Sequence, residues 1–188
     1  KNATSSLWDF GDGNNTNSQI TPLVHNYDSA GTYNIILNNS NACYADTFSN
    51  VVFIRGINSV YPNSGGNKGI VTVFITGAGF TDSTIVTLVD SANSIILNSI
   101  DSSTIIIDDG LIRTSFNLNG VNIGNYDVSI EIPLDTNFVL KNGFKVDSIQ
   151  YPDLTTSLIG PSAIRLNQWT NYNLITSNNG NIDAVSAI

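Results

Sequence analysis

A single cysteine, a single histidine and a single glutamate occur in this chain of 188 residues, and each scarcity closes off a class of structure or chemistry. Cys43 has no second cysteine to pair with, so no disulfide can form within the chain. With no His or Lys close to it in sequence to lower its pKa, Cys43 reads as a small residue near a strand end rather than a reactive thiol. With His25 as the only histidine, a multi-histidine metal site is excluded and a histidine-based triad is not expected. Glu131 stands alone, whereas helix-rich proteins clothe their exposed faces with Glu, Lys, Ala and Leu. Charge is scarce too: Asp, Glu, Lys and Arg make up 12% of the chain, about half the usual share. The seven Lys and Arg residues are scattered, and the net charge is −8. No basic stripe exists to neutralise nucleic-acid phosphates, and no polybasic patch to meet anionic lipid. No apolar run reaches the roughly 18 residues of a membrane span, so no membrane insertion is expected in this segment. The first residues do not combine a basic n-region with an apolar h-region, which places any secretory leader outside this stretch.

Asparagine fills the gap left by charge, with 27 residues, alongside abundant Ser, Thr and Gly. Such a polar surface suits short strands joined by tight turns. Hydrophobic residues make up 41%, enough for a core. Period-two alternation is clearest over 126–132, where Tyr126, Val128, Ile130 and Ile132 face one way and Asp127, Ser129 and Glu131 the other. Similar runs occur at 33–37, 71–75, 85–89 and 114–118. Turn signals separate them at 11–13, 63–67, 77–79, 108–110 and 178–180. No stretch keeps a helical period, so the predicted fold class is all-β, as tandem immunoglobulin-like β-sandwiches.

Two Gly-x-Tyr entries, Gly31-Thr32-Tyr33 and Gly124-Asn125-Tyr126, each precede an alternating run. A tyrosine entering a strand in this way can bond its hydroxyl back to nearby backbone as a tyrosine corner. Their separation of 93 positions is about one such domain and implies repeated architecture. Three units follow from this, over 1–55, 56–148 and 149–188. The outer two are expected to be incomplete, since about 40 to 55 residues are too few to close a sandwich.

The first unit resembles a PKD domain through Trp8-Asp9-Phe10-Gly11-Asp12-Gly13, His25-Asn26-Tyr27 and Ala30-Gly31-Thr32-Tyr33, with its early strands missing. Trp8 and Phe10 share a parity that sends both toward a core, and His25 is read as a strand residue beside it. The second unit is similar to an IPT/TIG domain. It carries Ile57-Asn58-Ser59-Val60-Tyr61-Pro62 with Gly65-Gly66, then Gly77-Ala78-Gly79-Phe80, then Gly124-Asn125-Tyr126-Asp127-Val128. Glycines 77 and 79 would allow a bulge where the chain changes sheets. The third, from Pro152-Asp153-Leu154-Thr155 to Asn178-Asn179-Gly180-Asn181, is similar to the opening strands of CARDB-like or DUF11-like modules, with strands expected at 154–158 and 169–176. Such strings resemble large secreted or cell-surface proteins of Bacteroidetes-type bacteria, which implies a secreted or surface location.

No catalytic set emerges, and the chain is not expected to be an enzyme. The carboxylate pairs Asp9/Asp12 and Asp108/Asp109 lie in turns, where Asp caps backbone. No cofactor is expected; Asp9, Asp12 and Asn14 offer hard oxygens that could form a weak calcium site. Trp8 and Trp169 are candidates for a sugar-stacking platform, with Trp8 expected in a core. Asp-Ser dipeptides make Ser29, Ser83, Ser91 and Ser148 candidates for the O-glycosylation that the bacterial resemblance implies. The expected role is a stalk or spacer, adhesin-like. The alternatives are accessory modules of a secreted hydrolase or protease, or cargo of a type 9 secretion system. Expected partners are other modules of the same long chain, and possible further ones are a surface polysaccharide, a protein ligand or the secretion apparatus.

Overall fold

The structure is a computed structural model that describes residues 3–90, 95–133 and 137–184. It is all-β: several sheets and, among the described residues, no helix. The first sheet takes β1 (Ser5–Asp9), β2 (Asn15–Asn17), β3 (Gly31–Ser40) and β4 (Ala45–Ile54), in the order β2-β1-β3-β4. After Arg55 alone the chain enters β5 (Gly56–Tyr61), then β6 (Ser64–Gly66), β7 (Ile70–Ala78), β8 (Ile85–Asp90) and β9 (Ile95–Asn98). β10 (Ile105–Asp108), β11 (Leu111–Asn117), β12 (Gly124–Glu131) and β13 (Asn137–Asp147) follow. These nine strands make two sheets, β10-β11-β7-β5 and β6-β13-β12-β8-β9. β14 (Leu154–Ile159) and β15 (Asn173–Asn178) form a separate antiparallel pair.

One apolar core belongs to both central sheets. Val71, Val73, Ile75, Ile112 and Phe116 enter it from one sheet, and Val86, Leu88, Tyr126, Val128, Ile130, Phe144 and Val146 from the other. Burying such side chains fully contributes on the order of 1.5–3 kcal/mol each. The alternation in β12 is as its sequence predicts on the apolar side. Its polar side is not all open. Asp127 is buried, because β12 and β13 slip register between Tyr126 and Val128. Phe144 faces Tyr126 and Leu140 faces Val128, so Asp127 alone opposes the bulge 141–143. Its carboxylate accepts the Asn142 amide at 2.8 Å and the Lys141 ammonium at 2.7 Å. Asn142 turns the bulge at φ +52°, a conformation asparagine tolerates.

The expected turn at 63–67 is instead a strand. Ser64–Gly66 pairs with Lys145–Asp147, and the pairing is parallel. Its glycines answer to space, not to turn geometry. A Cβ on Gly65 would lie 2.6 Å from Val71 Cγ2 and 2.9 Å from Leu118 Cδ1. The bulge expected at Gly77 and Gly79 is not in β7, which runs in unbroken register against β11; instead β5 slips between Ile57 and Ser59, leaving Asn58 unpaired in the ladder. The strand expected over 169–176 starts later, at Asn173. His25 lies in no strand; it belongs to an irregular segment beside the first sheet. The first sheet buries little, with only Phe10 as a buried hydrophobic residue beside it, and every residue of β14 and β15 is exposed.

Candidate functional site

The turn leaving β1 and segment 23–27 bring together a cluster of polar and aromatic groups. Asp9 Oδ1 accepts the Gly11 amide at 2.9 Å, and Asp12 Oδ1 accepts the Asn14 amide at 3.0 Å. Two self-capped turns in series result, the ordinary use of Asp in such a loop. Gly11, at φ +77°, presses against β3: a Cβ there would meet the Asn34 carbonyl oxygen at 2.7 Å. This close approach returns the chain past Asp12 toward His25.

His25 Nε2 lies 2.8 Å from Asp12 Oδ2, with the two side chains only 18% and 13% exposed. The imidazole stacks on Phe10 with ring centres 3.8 Å apart, and meets Tyr27 edge-on at 4.7 Å. Tyr27 in turn stacks with Tyr33 at 4.4 Å, and its hydroxyl donates to the Phe10 carbonyl at 3.1 Å. Burial alone would raise the Asp12 carboxyl. Hydrogen bonds from His25 and from the backbone and side chain of Asn14, with the nearby His25 charge, outweigh it and bring the pKa down to about 2. Tyr27 is pushed above its ordinary value, first by burial and then by the charge of Asp12. Beside this ladder lies a groove of about 410 Å³, lined by Trp8, Phe10, Leu23, His25, Tyr27 and Ile35.

The three calcium candidates are thus neighbours, and both oxygens of Asp12 are already engaged by protein groups. Asp9 and Asp12 cap amides, and Asp12 Oδ2 also takes the Asn14 side-chain amide at 3.1 Å. Among the described residues, no three His, Cys, Asp or Glu side chains gather as a metal site would require. Trp8 is half-buried and donates to the Ser18 carbonyl at 3.2 Å; Trp169 is fully exposed, between β14 and β15. Trp8 lies in β1 and Trp169 in the loop between β14 and β15, so the structure does not join them in one platform. Ser29, Ser83 and Ser148 are exposed, and Ser91 lies outside the described residues. Cys43 is exposed in the turn between β3 and β4.

Both tyrosine corners are formed. The Tyr33 hydroxyl donates to the Ser29 carbonyl at 2.9 Å, and the Tyr126 hydroxyl to the Asn122 carbonyl at 3.0 Å, each four residues upstream. The contact between Asp12 and His25 had no sequence signal, because they lie 13 positions apart with no shared period. No protein-family model and no curated protein matches this chain.

Proposed function

We propose that this chain is a non-catalytic stalk or spacer within a large secreted or cell-surface bacterial protein, adhesin-like in character. On this reading the first sheet is the remnant of a PKD-like sandwich (1–55), and the central pair is an IPT/TIG-like sandwich (56–148). The terminal pair opens a third immunoglobulin-like module (149–188). The observation that carries the proposal is the repeated corner: two tyrosines, 93 positions apart, make the same hydroxyl-to-carbonyl bond at the entry to β3 and β12. Tandem immunoglobulin-like modules repeat such a corner once per module. The polar groups of the aromatic cluster support a structural role, since each carboxylate there is engaged in capping or pairing. An Asn-rich, weakly charged surface gives solubility without strong electrostatic preference for a partner. Glycans at Ser29, Ser83, Ser91 and Ser148 would fit the same setting.

The test is replacement. In the parent protein, an unrelated rigid β-module array of matching length should restore surface function to a deletion of this segment. Failure of every such replacement would overturn the spacer reading in favour of specific binding. Intact-mass measurement of native material decides the glycan part: the bare polypeptide mass would refute it.

A further inference from the structure

We propose that both junctions of the chain are locked by asparagine carboxamides standing in for peptide groups, so that the three sheet systems hold fixed mutual orientations. A carboxamide carries one donor and one acceptor side arranged like a backbone N–H and C=O, and can therefore close a rung with another segment of backbone.

At the first junction only Arg55 separates β4 from β5. Asn58 is the residue left over by the register slip in β5. Its Oδ1 accepts the Ala30 amide at 2.7 Å, and its Nδ2 donates to the Ala30 carbonyl at 3.0 Å. Ala30 immediately precedes β3, so this rung ties the first sheet to the central pair beside the covalent link. Two bonds to one residue fix a direction, where a single bond would leave a pivot.

At the second junction the same chemistry recurs. Asn181 Oδ1 accepts the Gln150 amide at 2.7 Å, and Nδ2 donates to the Ser148 carbonyl at 2.9 Å. The Asn181 carbonyl accepts the Gly66 amide at 2.8 Å. The two residues that follow then enter the central pair. Ile182 packs against the central core, where a Cβ on Gly69 would leave it only 2.8 Å. Asp183 donates its amide to the Ile70 carbonyl at 2.8 Å, and its carboxylate accepts the Thr72 amide and hydroxyl at 3.1 and 2.6 Å. Pairing of β5 with β7 ends at Tyr61 and Phe74, so residues 181–183 occupy the stretch of β7 that β5 leaves uncovered.

The clamps themselves are neutral, so salt cannot screen them and no proton can release them near neutral pH. The lock goes beyond the spacer reading and does not depend on it, because fixed junctions would serve an enzyme's accessory modules equally well.

Pulsed electron-spin distance measurement on the whole chain tests it. One label goes on the native, exposed Cys43 and a second on Ser83→Cys. For the other junction, Ser83→Cys and Ser162→Cys are labelled in a Cys43→Ser background. Each pair should give one narrow distance distribution, the same at low and high salt. Asn58→Ala and Asn58→Asp should broaden the first, and Asn181→Ala the second. A broad distribution in the parent, or variants as narrow as the parent, overturns the lock. Hydrogen exchange on the unsubstituted chain stands in should a variant fail to fold. The Ala30 and Gln150 amides should exchange much more slowly than open loop amides, and exchange at the open-loop rate overturns the proposal.

Discussion

Replacing Tyr126 with phenylalanine isolates one hydroxyl. The ring is 1% exposed and would stay packed between the central sheets, so the substitution removes the bond to the Asn122 carbonyl and nothing else of size. A net intramolecular hydrogen bond contributes about 1 kcal/mol, and a stranded buried acceptor raises the loss toward about 3 kcal/mol. Asn122 is exposed, so its carbonyl regains water and the expected loss is about 1 kcal/mol. In a unit of this size that lowers the melting temperature by roughly 4–8 °C. Tyr33→Phe removes the matching bond at the other corner, where the tyrosine is only half-buried, and should cost less, about 0.5 kcal/mol. Urea unfolding can separate the two. Trp8 and Trp169 are the only tryptophans and Trp169 is already fully exposed, so the fluorescence change follows the first sheet through Trp8, while far-ultraviolet circular dichroism follows all the sheets together. If Tyr126→Phe costs under about 0.3 kcal/mol, the corner hydroxyl is ornamental and the hydrogen-bond reasoning fails.

Gly65→Ala forces a methyl against Val71 and Leu118 and should destabilise the central pair by about 1–3 kcal/mol, read from its urea midpoint. Asp127→Ala removes the charged acceptor of the Asn142 bulge amide and should cost about 1.5–3 kcal/mol, whereas Lys141→Ala, removing a partner that is 70% exposed, should cost under about 1 kcal/mol. Similar losses for the two would contradict the structure of the bulge. Because the folded Asp12 carboxyl titrates near 2 rather than 3.8, its stabilising contribution is complete above about pH 4 and is lost as pH falls through 2. Trp8 fluorescence during unfolding at a series of pH values should show this acid loss in the parent and a flatter profile in Asp12→Asn.

The all-β class and both tyrosine corners were legible because period-two alternation and Gly-x-Tyr entries are local signals. What sequence could not show were features set by partners far along the chain. Gly65 and Gly66 read as a turn because glycine usually serves conformation, while here the core leaves no room beside Gly65 and residues 149, 181 and 182 leave none beside Gly66. Asp127 has the parity of an open face, and only a slip in a partner strand buries it. Asn58 and Asn181 are two among 27 asparagines, and nothing in composition distinguishes a clamp from a solvated side chain. At the aromatic cluster, the adjacent Asp and Gly residues foretold the capped turns. The stack of Phe10 on His25 required the chain to return from segment 23–27.

The parallel rung between β6 and β13 also sets a timetable. A chain grows from its N-terminus, and domains generally fold as units once they emerge. Ser64 cannot pair until Lys145 has been made, and Gly66 and Thr72 wait longer still, for Asn181 and Asp183. The glycine-rich corner of the central core therefore stays open until residues 181–183 have been made. The central pair thus completes its hydrogen bonding only after the strands of the terminal pair have been made.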